Sequence, residues 1–212
     1  MLCFSIPALN VCRTFDNIVS SYEELAGTAL LTLHMEVRCR IVHALRNTLS
    51  LGTTPYLLDQ EVREPDPQIL SLNLELVIYD ETISKYLRDK EVSFIRTGLG
   101  MLITRYLVGN APLASPMNAN GSGRMQLNIL VLQQNLKNVE EGVDLARAAN
   151  FFALFDKGSD AIIKTAKGSD KTYTEEELKT LVQLCFSEQL SNRERGLAVA
   201  AKRQLADKLE EF

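Results

Sequence analysis

Apolar residues return at steps of three and four along most of this chain, the spacing that places side chains on one face of a helix. Leu30, Leu33, Val37, Ile41, Ala44 and Thr48 form the first such series. Ser21 and Glu24 have the spacing of a capping box, so a first helix is expected from about Tyr22 to Leu51, ending near Gly52. At 1.5 Å per residue it would run about 45 Å, which implies an elongated shape.

Three prolines and several acids then mark a loop from Gly52 to Pro67. Asp66 followed by Pro67 supplies an N-cap and a proline in the first turn, and a second helix is expected there, with Ile69, Leu72, Leu76, Tyr79, Ile83 and Leu87 as its seam. A third helix carries Val92, Ile95, Leu99, Leu102, Ile103 and Tyr106 and stops at Gly109-Asn110-Ala111-Pro112. After a glycine- and proline-rich loop, a fourth carries Met125, Ile129, Leu132, Leu136 and Val139, with Gly142 ending it. A fifth is expected from Asp144 to Gly168 with Leu145, Ala148, Phe152, Phe155, Ile162 and Ala166, followed by the polar turn Ser169-Asp170-Lys171. Thr174 and Glu177 form a second capping box, opening a sixth helix with Leu178, Leu181, Val182 and Cys185, and Ser191-Asn192 introduces a terminal helix poor in bulky apolar residues.

No alternating run bounded by hairpin turns and no internal repeat at solenoid periods accompanies these helices. The fold class expected is therefore all-α, an elongated set of tandem antiparallel helical bundles. Its divisions are residues 1–20 as a partly ordered segment, 21–110 as a first bundle, 111–123 as a loop, 124–190 as a second bundle and 191–212 as a terminal helix open to fraying.

Composition narrows the function. With 212 residues and 46% hydrophobic content the chain can bury a real core, and the absence of tryptophan beside abundant Leu, Ala, Val and Ile suits helices packed on helices. A net charge of -4 offers no overall field to gather phosphate, on nucleic acid or on lipid. The local exception is Arg38, Arg40 and Arg46 around His34 and His43, which would make one basic stripe, although such clusters also form ordinary solvated faces. Cys3, Cys12, Cys39 and Cys185 lack CxxC spacing and read as small core fillers in a reducing compartment. No apolar run reaches the ~20 residues that span a bilayer, and the apolar first fifteen residues lack a basic leader, so a cytosolic product is expected.

Catalysis requires groups that converge, and the sequence does not supply them. His34 and His43 lie nine positions apart on one helix, on opposite sides of it, without HExxH or other ligand spacing. Gly98-Leu99-Gly100 and Gly121-Ser122-Gly123 hint at a phosphate cradle, but neither completes GxGxxG. The first falls in a helical pattern, where small residues admit a close neighbour, and the second in a loop. Cys39 and Cys185 have no base placed against them, and Glu175-Glu176-Glu177 fits a helix start. No catalytic residue, cofactor or metal site is expected.

Several strings together resemble a known family: Leu33-His34-Met35-Glu36-Val37-Arg38, Gly98-Leu99-Gly100, the run from Asn128 to Leu136 (Asn-Ile-Leu-Val-Leu-Gln-Gln-Asn-Leu), Asp144-Leu145-Ala146-Arg147, and Phe151-Phe152. Their order and spacing across roughly Tyr22 to Leu190 resemble the C-terminal helical region of the Sec-eight subunit of the exocyst. None is a chemical signature; their combination carries the resemblance. It implies a rod of stacked helical bundles, without enzymatic residues, that helps an eight-subunit assembly tether secretory vesicles to the plasma membrane before fusion.

The resemblance also implies other exocyst subunits as partners, peripheral rather than integral membrane association, and contacts open to a small GTPase or a membrane-fusion protein. The location it implies is cytoplasmic, with recruitment to sites of secretion. Family members are several times longer and carry an N-terminal coiled region that this sequence does not show, as expected of a fragment. The tail Leu209-Glu210-Glu211-Phe212 is only loosely of the PDZ-binding kind that animal members show. The Arg38, Arg40 and Arg46 stripe and the terminal helix are the expected partner-binding surfaces. Two rivals remain: a membrane-surface module binding acidic lipids through the arginines, and a small helical enzyme with a polar pocket between bundles.

Overall fold

The computed structural model describes residues 6–50, 56–168, 171–192 and 195–212, with side chains from residue 13 on apart from 50 and 195. Regular structure there consists of α1 Ile6–Ser50, α2 Pro67–Tyr86, α3 Asp89–Arg96, α4 Leu99–Gly109, a 3-10 turn at Ala111–Ala114, α5 Ala119–Leu136, α6 Ala146–Asp156, α7 Ser159–Lys167, α8 Glu175–Cys185, α9 Ser187–Ser191 and α10 Arg195–Glu210. The all-α bundle read from the periodicity is found, and among the described residues the only β contact is one bridge between Tyr56 and Met117. The expected helix end at Gly52, the Ser169-Asp170 turn, Cys3 and the side chain of Cys12 lie outside the described residues.

α1 is longer than its sequence signals suggested, at 45 residues and about 67 Å. Ser21 does not cap it: the hydroxyl donates to the Asn17 carbonyl at 2.9 Å, one turn back inside a continuous helix. Pro7 falls in the first turn, where its missing N–H removes no helical bond, so nothing before Ser21 stops the helix.

α2 begins as expected. The Asp66 carboxylate accepts from the Gln68 amide at 2.8 Å and Pro67 opens the first turn. Asp66 is fully buried, its own amide donates to Asn128 Oδ1 at 2.8 Å, and Arg124 of α5 stands 3.6 Å from its second oxygen. This polar junction ties the start of α2 to α5 inside an apolar surround.

Two helices expected to be continuous are broken, each at a glycine. Gly98, at φ 83°, separates α3 from α4, and Gly158, at φ 81°, separates α6 from α7. Both sit in the left-handed region that other residues rarely adopt. Apolar spacing runs on through both breaks, so periodicity alone reads each pair as one helix.

The expected loop at 111–123 is more ordered than its glycines and prolines suggested. Asn118 caps α5 by accepting from the Gly121 amide at 3.0 Å, and Gly121 packs under the Tyr56 carbonyl, where an added Cβ would lie 1.8 Å from the oxygen. Gly121 therefore serves close approach within a helix, whereas a Cβ on Gly123 would meet nothing within 4 Å. Ser122 is buried and donates to the Phe152 carbonyl at 3.2 Å, joining α5 to α6.

One contiguous apolar core runs through α1 to α8, with Ile41, Leu45, Ile103, Leu132, Phe151 and Leu181 among its fully buried members. The terminal helix, poor in bulky apolar residues and expected to be open to fraying, nevertheless packs: Ala201 is buried, and Leu205, Leu209 and Phe212 lie against the cluster. Lys208 pairs with Asp160 at 2.8 Å, fixing the end of α10 to the start of α7.

Candidate interaction surface

At about 100° per residue the three expected arginines spread around α1, Arg40 lying about 160° and Arg46 about 80° from Arg38. They do not form one stripe. Arg38 is half-buried and turned into the fold, donating to the carbonyls of His34 (2.9 Å), Ile95 (3.2 Å) and Thr97. It clamps α1 to the end of α3 and the turn into α4, and burial lowers its pKa against the pull of Glu140. Arg40 is exposed and pairs with Glu36 at 2.7 Å, with Glu75 of α2 at 3.9 Å. Arg46 is exposed.

The histidines diverge as their spacing required. His34 stacks on Phe94 with ring centroids 4.5 Å apart and bonds the Phe94 carbonyl through Nδ1 at 3.1 Å. His43 meets the Asn47 side chain instead, at 3.1 Å. Cys39, expected in the core, is exposed, whereas Cys185 is half-buried and its thiol is pushed up to about 12 by burial and by the Asp156 carboxylate. At neutral pH that thiol stays protonated and unreactive.

Gly98-Leu99-Gly100 does cradle an anion, but the anion belongs to the chain. The Gly98 amide donates to Glu140 Oε1 at 2.5 Å and the Gly100 amide to Oε2 at 2.8 Å, so a carboxylate from the turn after α5 caps the start of α4. An added Cβ on Gly100 would lie 2.3 Å from Val143 Cγ2, which explains the small residue. The sequence missed Glu140 because nothing local marks a carboxylate that acts forty-odd residues away.

A cavity of about 820 Å³, open to solvent, lies beside this cap, lined by Thr104, Arg105, Glu140, Asp144, Arg147 and Glu177 among others. Most of its charged groups are engaged in holding helix ends. Asp144 accepts from the Ala146 amide at 2.7 Å. Arg147 Nη2 reaches both carboxylate oxygens of Glu177, at 2.8 and 2.7 Å, and the guanidinium lies over the Tyr173 ring, whose hydroxyl donates to the Arg147 carbonyl at 2.8 Å. Burial works to raise the Glu177 pKa, but the hydrogen bonds from Arg147 and the Thr174 amide take it below the usual carboxylate range. The Thr174–Glu177 capping box that the sequence signalled is thus also an inter-helix tie.

Among the described residues no group of three His, Cys, Asp or Glu could hold a metal ion, and no helix is long and apolar enough to cross a membrane. What the surface does offer is exposed apolar side chains, among them Phe15, Ile18, Val19, Tyr22 and Leu25 on the first half of α1 and Leu70, Leu74, Ile78 and Tyr86 on α2.

The strings that carried the resemblance are the junctions of this fold. The Leu33 carbonyl accepts from the Tyr79 hydroxyl at 2.7 Å, Arg38 clamps the end of α3 and the turn into α4, and Asn128 holds the buried start of α2. No family model matches the chain. It is 54% identical, over 93% of its length, to the probable exocyst complex component sec8 of Neurospora crassa, of which it covers 21%. The chain is a region of the exocyst Sec8 family. It is 30% identical over 81% of its length to exocyst complex component 4 of Drosophila melanogaster, covering 18% of that protein, and 28% identical over 78% to the human one, covering 17%. The chain thus spans about a fifth of the length of the curated Sec8 relatives it matches.

Proposed function

We propose that this chain acts, without enzymatic chemistry, as a helical interaction body of the exocyst that helps tether secretory vesicles to the plasma membrane before fusion. The observation that carries the reading is the 54% identity to the Neurospora crassa subunit across nearly the whole chain. The geometry supports it. Gly98 and Gly100, which could have cradled a phosphate, hold Glu140, and Arg147 and Glu177 hold each other. Such a body would work by stiffness and by surface, binding other subunits in the cytoplasm and reaching the membrane through them.

Affinity purification of the tagged chain expressed in Neurospora crassa tests this. Recovery of other exocyst subunits is expected, and their absence from a soluble, folded chain would contradict the proposal. Arg40 and Arg46 are the exposed members of the expected set, and Arg40→Glu with Arg46→Glu is expected to weaken recovery of at least one subunit; unchanged recovery removes these two residues from the interface. Arg38 is unsuitable for that test because it braces α3 and α4.

A further inference from the structure

Among the described residues six buried side-chain atoms lack a hydrogen-bond partner, and four of the six belong to one junction: the Tyr56 hydroxyl, Asp66 Oδ2, Arg124 Nε and Asn128 Nδ2. Tyr56, Asp66 and Asn128 are 3%, 0% and 1% exposed, and the Arg124 side chain 13%. Tyr56 and Asp66 come from the segment before α2; Arg124 and Asn128 sit one turn apart on the same face of α5. Buried donors and acceptors are seldom left in this condition, because each has given up its hydration and gained nothing in return. Four such atoms in one place therefore point to a shared partner.

The bonds around the junction fix which atoms remain. The Asp66 amide donates to Asn128 Oδ1 at 2.8 Å, so the free end of that side chain is its NH2 group, a donor. Asp66 Oδ1 accepts from the Gln68 amide at 2.8 Å, which leaves Oδ2 as the free acceptor. Arg124 Nη2 stands 3.6 Å from Oδ2, too far for a hydrogen bond. The Tyr56 hydroxyl feels all three neighbours: burial and the Asp66 carboxylate push its pKa up, and Arg124 and the Asn128 side chain oppose them. The chemistry of the set then selects its occupant. Arg124 Nε and Asn128 Nδ2 only donate, Asp66 Oδ2 only accepts, and the Tyr56 hydroxyl does both. An anion would suit the donors and be repelled by the carboxylate; a cation would suit Oδ2 and be repelled by the guanidinium. A water molecule, with two lone pairs and two hydrogens, matches the mixture, and buried waters typically hold about three such bonds.

We propose that Tyr56, Asp66, Arg124 and Asn128 form a binding site for one structural water, which joins the segment before α2 to α5 by bridging Asp66 Oδ2, Arg124 Nε and the neighbouring hydroxyl and amide. The junction is then a bridged contact rather than a direct salt bridge, and a separation of 3.6 Å between the charged groups is what such a bridge requires. The water holds Tyr56 and Asp66 of a segment that has no helix of its own between them. The site lies inside the fold and does not depend on the tethering role.

A crystal structure of the whole chain, grown with bromide in place of chloride, tests this. One density peak is expected within about 3.2 Å of Asp66 Oδ2 and Arg124 Nε and of at least one of the Tyr56 hydroxyl and Asn128 Nδ2, without anomalous signal from bromide. In solution, oxygen-17 relaxation dispersion should count this water among the long-lived ones. Asp66→Asn keeps a good N-cap but turns the one pure acceptor into a donor, and it should lower that count by one. If Asp66→Asn does not fold, the crystal of the unaltered chain decides. A direct bond between any two of the four atoms with no peak among them, a bromide signal at the peak, or an unchanged count in folded Asp66→Asn would each overturn the proposal.

Discussion

The two halves of α1 share one helix, one apolar stripe and one period, yet they have opposite roles. In the inner half Val37, Ile41, Leu45 and Leu49 are buried, and the neighbours that bury them are fastened by polar contacts: the Tyr79 hydroxyl on the Leu33 carbonyl and Arg38 on the carbonyls of Ile95 and Thr97. In the outer half Phe15, Tyr22 and Leu25 are exposed, and Ser21 and Thr28 bond back to carbonyls of their own helix. Amphipathic spacing therefore records that a face is meant to be covered; whether this chain covers it depends on where its other helices end.

Truncating the same residue type in each half should give the largest contrast. Leu45→Ala removes a fully buried side chain and is expected to destabilise by about 3 kcal/mol, while Leu25→Ala should change stability by less than about 0.5 kcal/mol, both read by denaturant unfolding. Equal effects would mean that the outer half is also packed. Arg38→Ala comes next, at about 2 kcal/mol, because it removes charge-assisted bonds that hold α3 and α4 against the inner half. Tyr79→Phe should cost about 1 kcal/mol by leaving the Leu33 carbonyl without that donor.

The last effect is local to the outer half. Gly27 has nothing within 4 Å of a built Cβ, so Gly27→Ala should raise the helicity of this segment, a gain of about 0.5–1 kcal/mol in local helix stability that circular dichroism would register without a matching shift in global unfolding.

Most of the helices were legible because their apolar residues keep a 3.6 period and because Asp66-Pro67 and Thr174–Glu177 are real caps. The breaks at Gly98 and Gly158 were not, since a left-handed glycine leaves the apolar spacing around it intact. The false cap at Ser21 shows the converse: the right pair at the right spacing lies inside a longer helix. Surface roles were the least legible. Arg38 looked like one member of a basic stripe, and only the turn from Ile95 to Thr97, nearly sixty residues on, makes it a brace. Glu140 was invisible for the same reason, since its partners Gly98 and Gly100 come together with it only in the fold.

Hydrogen–deuterium exchange along α1, followed by mass spectrometry on the isolated chain, tests the division most directly. Amides of residues 33–49 should exchange only with global unfolding, and those of residues 13–29 at least about a hundredfold faster, since no packed element holds them closed. Uniform protection from one end of the helix to the other would contradict the account.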